Sequence, residues 1–229
     1  MRTLAVLPVK SFDAAKGRLR ARLDPLARAA LAEAMLGDVL AAVVRASEIE
    51  GVAVVTGEPR AATVARGIGA EILLDPDEAG QSHAATIGVA RAVAAGYDRV
   101  ALVPGDTPLA APADLDGLCV RSSAAGLGAA IVPDRHGSGT NALLLHPPDA
   151  LAPSFGPDSL ARHVASARTA GVPHAVERIA ALEHDVDTPE DLVALAVRLR
   201  ESEPTTAPRT RATLADIERA REPRSAAEA

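Results

Sequence analysis

Lysine is almost absent from this 229-residue chain, where 22 arginines stand against Lys10 and Lys16. Asparagine and glutamine occur once each, as Asn141 and Gln81; tryptophan is missing, tyrosine occurs once, and phenylalanine twice, as Phe12 and Phe155. The single Cys119 excludes a disulfide framework and a cysteine zinc site, and on its helical pattern it reads as a small buried hydrophobe. A net charge of −6 with so few aromatics leaves neither a basic stripe nor a stacking platform, which argues against nucleic acid as the main partner. No run of 18 apolar residues occurs, so no membrane span is expected, and the N-terminus lacks the apolar stretch and cleavage site of a secretory leader. The expected location is cytoplasmic. Neither GxxxxGK[ST] nor GxGxxG follows the first apolar run, which excludes a Walker loop and disfavours a nicotinamide dinucleotide fold.

What is present is a rhythm. Apolar runs at 3–9, 52–55, 71–74, 99–103 and 128–132 alternate with helical spacing over 25–47, 59–68, 82–95 and 112–122. Continuous apolar strands between helices predict a three-layer α/β/α fold around a mostly parallel sheet. The rhythm breaks after Val132, where a short loop leads straight into TNALLLH, too short for a crossover helix. This pair is predicted to be antiparallel or at a sheet edge. A helix over 158–170, a strand near 174–179 and a helix over 188–200 complete one domain at 1–200. Residues 201–229 read as a flexible polar tail with a possible short helix at 213–221.

Four segments carry candidate chemistry. The loop after the first strand, PVKSFDAAKGRLR, holds Lys10, Lys16 and Arg18 where an open parallel sheet binds its ligands. Ordinary solvated charge is the alternative, but keeping lysine where nearly every other cation is arginine favours a compact ammonium beside phosphate. VPGDTP sets Asp106 at the end of a strand, as a magnesium ligand or as a turn residue bonding its own backbone. HDVDTPEDL places Asp185 and Asp187 before a helix start that Asp187 or Thr188 caps, and two separated carboxylates can share one Mg²⁺. GSGTN and FGPDS offer Thr140, Asn141, Gly156 and Ser159, polar groups at a strand mouth and a helix N-terminus that suit a phosphate or carboxylate or simply cap. Gly80, Gln81 and Ser82 open another helix, as base or ribose contacts or as a cap. His136, His146 and His163 fit no ligand spacing, and a lone histidine usually packs. The rare residues Lys10, Phe12, Lys16, Gln81, Asn141 and Phe155 all fall in or beside these segments.

Taken in order, PVK with AKxRL, DxDEAGQSHA, PGDTP, GSGTNALLL, FGPDS and DVDTPEDL resemble the phosphoenolpyruvate or 2-phospho-L-lactate guanylyltransferases of coenzyme F420 biosynthesis, over about residues 3–200. These have a GT-A-like nucleotidyltransferase fold. The resemblance implies transfer of GMP from GTP to the phosphate of a three-carbon acid, with release of pyrophosphate. By motif it implies Mg²⁺ on Asp106 and Asp187, and the phosphorylated acid on Thr140, Gly156 and Ser159. Lys10, Lys16 and Arg18 take the triphosphate-facing position, without the glycine-rich GxGxRxxxxK loop of the wider class. Other acceptors, a sugar phosphate or molybdopterin, and a non-catalytic nucleotide-binding module are the competing readings.

Overall fold

Alternation along the strands decides the layering. In β1 (Thr3–Val9), Ala5 and Leu7 enter one buried cluster while Leu4 and Val6 enter another, because successive side chains point to opposite faces. The computed structural model describes residues 1–12 and 16–221. The first cluster is covered by α1 (Pro25–Arg45), α2 (Pro59–Arg66) and α4 (Pro112–Ala124), and the second by α3 (Gln81–Ala94) and α5 (Ser159–Thr169). Gly88 lets α3 lie close on the sheet, since a Cβ there would meet a Val6 methyl at 2.2 Å.

The sheet is completed by β2 (Gly51–Thr56), β3 (Glu71–Leu74), β4 (Arg99–Leu102), β5 (Ala129–Pro133), β6 (Thr140–Leu145) and β7 (His174–Val176). The order is β3-β2-β1-β4-β6-β5-β7, with β6 antiparallel to both neighbours and every other pairing parallel. The three-layer α/β/α expectation holds. The TNALLLH strand is antiparallel as expected, but it lies inside the sheet rather than at an edge. All six of its residues are buried on both faces.

The C-terminal segment differs from its expectation. Helix α6 (Pro189–Glu201) is followed by α7 (Pro208–Arg221), which packs along α1 instead of trailing as a tail. Ala207, Leu214 and Ile217 close a third cluster with Leu23, Leu31, Met35, Leu195 and Leu199. The charged, proline-bearing composition concealed this sparse apolar stripe, whose spacing of three to seven residues is helical. The short helix expected at 213–221 is the second half of a longer one, and residues 222–229 lie outside the described residues.

Helix α7 takes its cap from another helix. Asp38 on α1, 5% exposed, accepts the backbone N–H of Arg209 at 3.2 Å and of Thr210 at 2.8 Å. These are among the amides a helix start leaves unpaired. Asp38→Ala is expected to cost about 1–2 kcal/mol, the usual worth of a cap. Hydrogen exchange should then speed up over 208–221 before any other helix opens.

Candidate active site

Strand order reverses at β1. The chain runs from β1 through α1 to β2 on one side, whereas β4 lies on the other. A crevice at such a reversal, beyond the carboxyl ends of the strands, is the usual ligand position of an open α/β sheet. Here it is a cleft of about 630 Å³ lined by Val9 and Lys10 from the end of β1 and by Gly105 and Asp106 beyond β4. Lys16, Arg18, Gln81 and Asp187 also line it, so six of the expected side chains meet at one opening. Arg20 joins them; its place one turn after Lys16, on a short 3₁₀ helix at Gly17–Ala21, is the only signal the sequence carries for it.

At the centre, the Lys16 ammonium donates to Asp106 and, at 2.9 Å, to Asp187. The Lys16 side chain is only 6% exposed, against 29% for Asp106 and 48% for Asp187. Burial opposes its charge, but the two carboxylates outweigh that and hold the ammonium pKa above its ordinary value. Asp185, the other acid that the sequence sets before the helix start, stands behind this group. Burial first, and then the neighbouring charges of Asp106 and Asp187, raise its carboxyl to about 6, against the hydrogen bond from Asn141 and the attraction of Lys16.

The loop carrying Asp187 is fixed from below. Asp191 Oδ2 accepts the backbone N–H of Asp187 at 3.1 Å and of Thr188 at 2.7 Å, and Arg135 pairs with its other oxygen at 2.6 Å. Thr188 is the cap of α6, returning its hydroxyl oxygen to the Asp191 N–H. The cap reading therefore falls on Thr188, which leaves the Asp187 carboxylate to face the cleft. In the first loop, the Ser11 and Phe12 amides are taken by Glu78 and Glu58, each at 3.0 Å. Those two amides are unavailable to a triphosphate, and the cations of the loop remain.

The second group of expected residues lies beside the first and is bonded within itself. Thr140, at the start of β6, donates its backbone N–H to Ser159 Oγ at 2.7 Å, and its hydroxyl lies 2.9 Å from His163 Nδ1. Asn141 does not point to open space; its amide donates to the Leu182 carbonyl at 2.9 Å and to Asp185 at 3.1 Å. It ties β6 to the loop that carries the carboxylates. Gly156, at φ +107°, sits where a side chain would strain the backbone. Ser82 does not line the cleft but accepts the Phe155 N–H at 2.8 Å, linking the start of α3 to the Gly156 loop. Gly80, at φ +112°, forms the turn into α3. Of the rare residues, Lys10, Phe12, Lys16 and Gln81 line the cleft, while Asn141 and Phe155 brace it.

The fold is that of solved nucleotidyltransferases, and the family that the chain matches gives it that class. A solved nucleotidyl transferase from a Methanothermobacter species superposes at TM-score 0.63 and 17% identity, covering 88% of this chain and 99% of its own. A candidate nucleotide-diphospho-sugar transferase from Desulfovibrio desulfuricans G20 does so at TM-score 0.73 and 19% identity, over 95% and 97%. The family model described as "Guanylyl transferase CofC like" matches residues 3–207, and the chain belongs to that family. A phosphoenolpyruvate guanylyltransferase of Conexibacter woesei is 51% identical over 195 residues, 85% of this chain and 87% of the relative. One of Sphaerobacter thermophilus is 39% identical over 196 residues, 86% and 93%. No helix among the described residues is long and apolar enough to cross a membrane.

His163 makes part of this site pH-sensitive. Its ring is wholly buried, and burial, followed by the Arg162 charge, lowers its pKa to about 4. An unfolded histidine titrates near 6.5. The unfolded chain thus takes up the proton first as pH falls, so this stabilisation is complete above about pH 6.5 and is lost on the way down through about pH 4. The melting-temperature gap between the wild type and His163→Phe should narrow over that range in a thermal melt.

Proposed function

We propose that this guanylyltransferase joins GMP from GTP to the phosphate of a phosphorylated three-carbon acid, phosphoenolpyruvate before 2-phospho-L-lactate, in coenzyme F420 biosynthesis. The observation that carries the reading is the convergence of Asp106 and Asp187 on one buried ammonium at the cleft, with the Thr140–Ser159 group tied to it through Asn141 and Asp185. The acceptor named for the relatives at 51% and 39% identity supports the choice of acid. The lone thiol, Cys119, is buried with its pKa pushed up to about 11, an inert group that suits a reducing cytoplasm.

The carboxylate pair fits a magnesium ion. No group of three or more His, Cys, Asp or Glu side chains placed to hold a metal occurs among the described residues. Mg²⁺ is commonly held by one or two carboxylates and completes its shell with substrate phosphates and water. Asp106 and Asp187 would hold it where Lys16 now supplies the positive charge. When bound, the ion neutralises charge on the α-phosphate and on the leaving pyrophosphate.

The rest falls to the chain's own residues. Lys10, Arg18 and Arg20 receive the triphosphate, and Lys16 exchanges its carboxylate partners for phosphate oxygens. Gln81, at the start of α3, faces the nucleoside. Thr140, Ser159 and the Gly156 amide hold the acid's phosphate so that one oxygen is in line with the α-phosphorus. That oxygen bonds to the α-phosphorus, the bridge to the β-phosphate breaks, and pyrophosphate leaves with the electron pair. A phosphate dianion is already nucleophilic, so no general base is required, and catalysis rests on positioning and charge.

Purified protein given Mg²⁺, each nucleoside triphosphate and a panel of phosphorylated acceptors should release pyrophosphate with GTP and phosphoenolpyruvate. Release only with a sugar phosphate or molybdopterin would move the chain to another branch of the class. Asp106→Asn and Asp187→Asn should each lower turnover by roughly a thousandfold, the factor for about 4 kcal/mol of lost transition-state stabilisation, with unchanged circular dichroism. Near-full activity in either variant would remove the metal assignment.

A further inference from the structure

His163 takes no part in the chemistry above, yet every group assigned to the acid touches it or touches a residue that does. It lies on α5 with no exposed surface, and its ring meets Phe155 edge-on at 5.4 Å between centroids. Its Nε2 lies 2.9 Å from the backbone nitrogen of Ser154. An amide N–H can only donate, so Nε2 carries a lone pair and no proton. The ring is neutral at ordinary pH, so the single proton sits on Nδ1.

That assignment settles the direction of the next bond. Nδ1 lies 2.9 Å from Thr140 Oγ1, and Nδ1–H must donate to the hydroxyl oxygen. The Thr140 hydroxyl proton cannot point back at the ring and is left to donate elsewhere. Ser159 is placed the same way, since its Oγ accepts the Thr140 backbone N–H at 2.7 Å and keeps its own proton for another partner. Neither proton has an acceptor among the described residues, and neither does the Gly156 N–H. Arg162 meanwhile takes up the carbonyls of Ser154, Phe155 and Pro157, which draws the acceptors of this loop away from the pocket.

We propose that His163 is a positioning residue for the acceptor substrate: as the Nδ1–H tautomer it keeps the Thr140 hydroxyl proton free to donate to an anion, beside the Ser159 hydroxyl that the Thr140 N–H orients. The inference rests on the reading that the acid's phosphate binds at these residues. Donors oriented together suit a phosphate, whose oxygens accept from all of them and whose charge strengthens each bond. With the opposite tautomer, Thr140 would donate into the ring and the pocket would lose a donor.

Steady-state kinetics with GTP and phosphoenolpyruvate test this. His163→Phe keeps the aromatic packing but loses both ring hydrogen bonds. It should raise the KM for the acid about tenfold, the worth of one hydrogen bond to a charged group, with the KM for GTP unchanged. His163→Asn returns an amide donor at the Nδ1 position and should recover most of the loss. Acid KM values at the wild-type level in both variants, or an equal rise in the KM for GTP, would overturn the proposal. Thr140→Val separates the two layers. If it also leaves the acid KM unchanged, the acid lies elsewhere and the pocket assignment falls too; if it raises that KM while both His163 variants match wild type, only the positioning role falls. A ¹⁵N spectrum of the wild-type ring, assigned by its loss in His163→Asn, reads the tautomer without relying on a folded His163→Phe. A protonated Nδ1 is expected, and a protonated Nε2 would contradict the proposal.

Discussion

Three charges from distant parts of the chain meet at the Lys16 ammonium. Asp106 lies 90 residues beyond it and Asp187 lies 171 beyond, and without a cation between them two carboxylates would face each other across a narrow cleft. Burying an ammonium is costly unless it is well paired, and here both partners are in hydrogen-bond contact. The contact draws together the end of β4, the start of α6 and the loop after β1, and with them the walls of the cleft. It also marks where positive charge belongs. A divalent ion carried in with a triphosphate satisfies the same two carboxylates and releases a lysine to follow the phosphates.

The neighbouring group is held to this centre through hydrogen bonds rather than ion pairs. Asn141 joins β6 to Asp185, Ser82 joins α3 to the Gly156 loop, and His163 joins that loop to Thr140. In the proposed mechanism, charge management and acceptor recognition are thus built from different chemistry but share elements, with β6 and α3 serving both. Two anions must approach one another in this reaction class, and rigid donors prepared in advance spare the reorganisation that water would otherwise supply.

The sheet was legible because its strands are continuous apolar runs and its helices carry helical spacing, signals that survive an alanine-rich composition. The cleft's lysines were legible for a compositional reason: with nearly all cations drawn to arginine, a retained lysine stands out, and Lys10 and Lys16 both line the cleft. Arg20 escaped notice because it is one arginine among 22. Asp185, Asp191 and His163 were harder still. What they do depends on which amide or carboxylate lies opposite, and residue spacing does not carry that. Asn141 shows the same limit from the other side, since its rarity pointed to the site but not to its bracing role. The length of α7 and its packing were missed because a few apolar residues suffice when the partner, α1, already exposes a matching face.

The central claim is that Asp106 and Asp187 form a cation site which nucleotide completes. Electron paramagnetic resonance of Mn²⁺ titrated into the protein, with and without GTP, addresses it directly. One ion per chain should bind weakly alone and more tightly once GTP is present, with competition by Mg²⁺. Binding that is indifferent to GTP, or no bound ion in its presence, would contradict the claim.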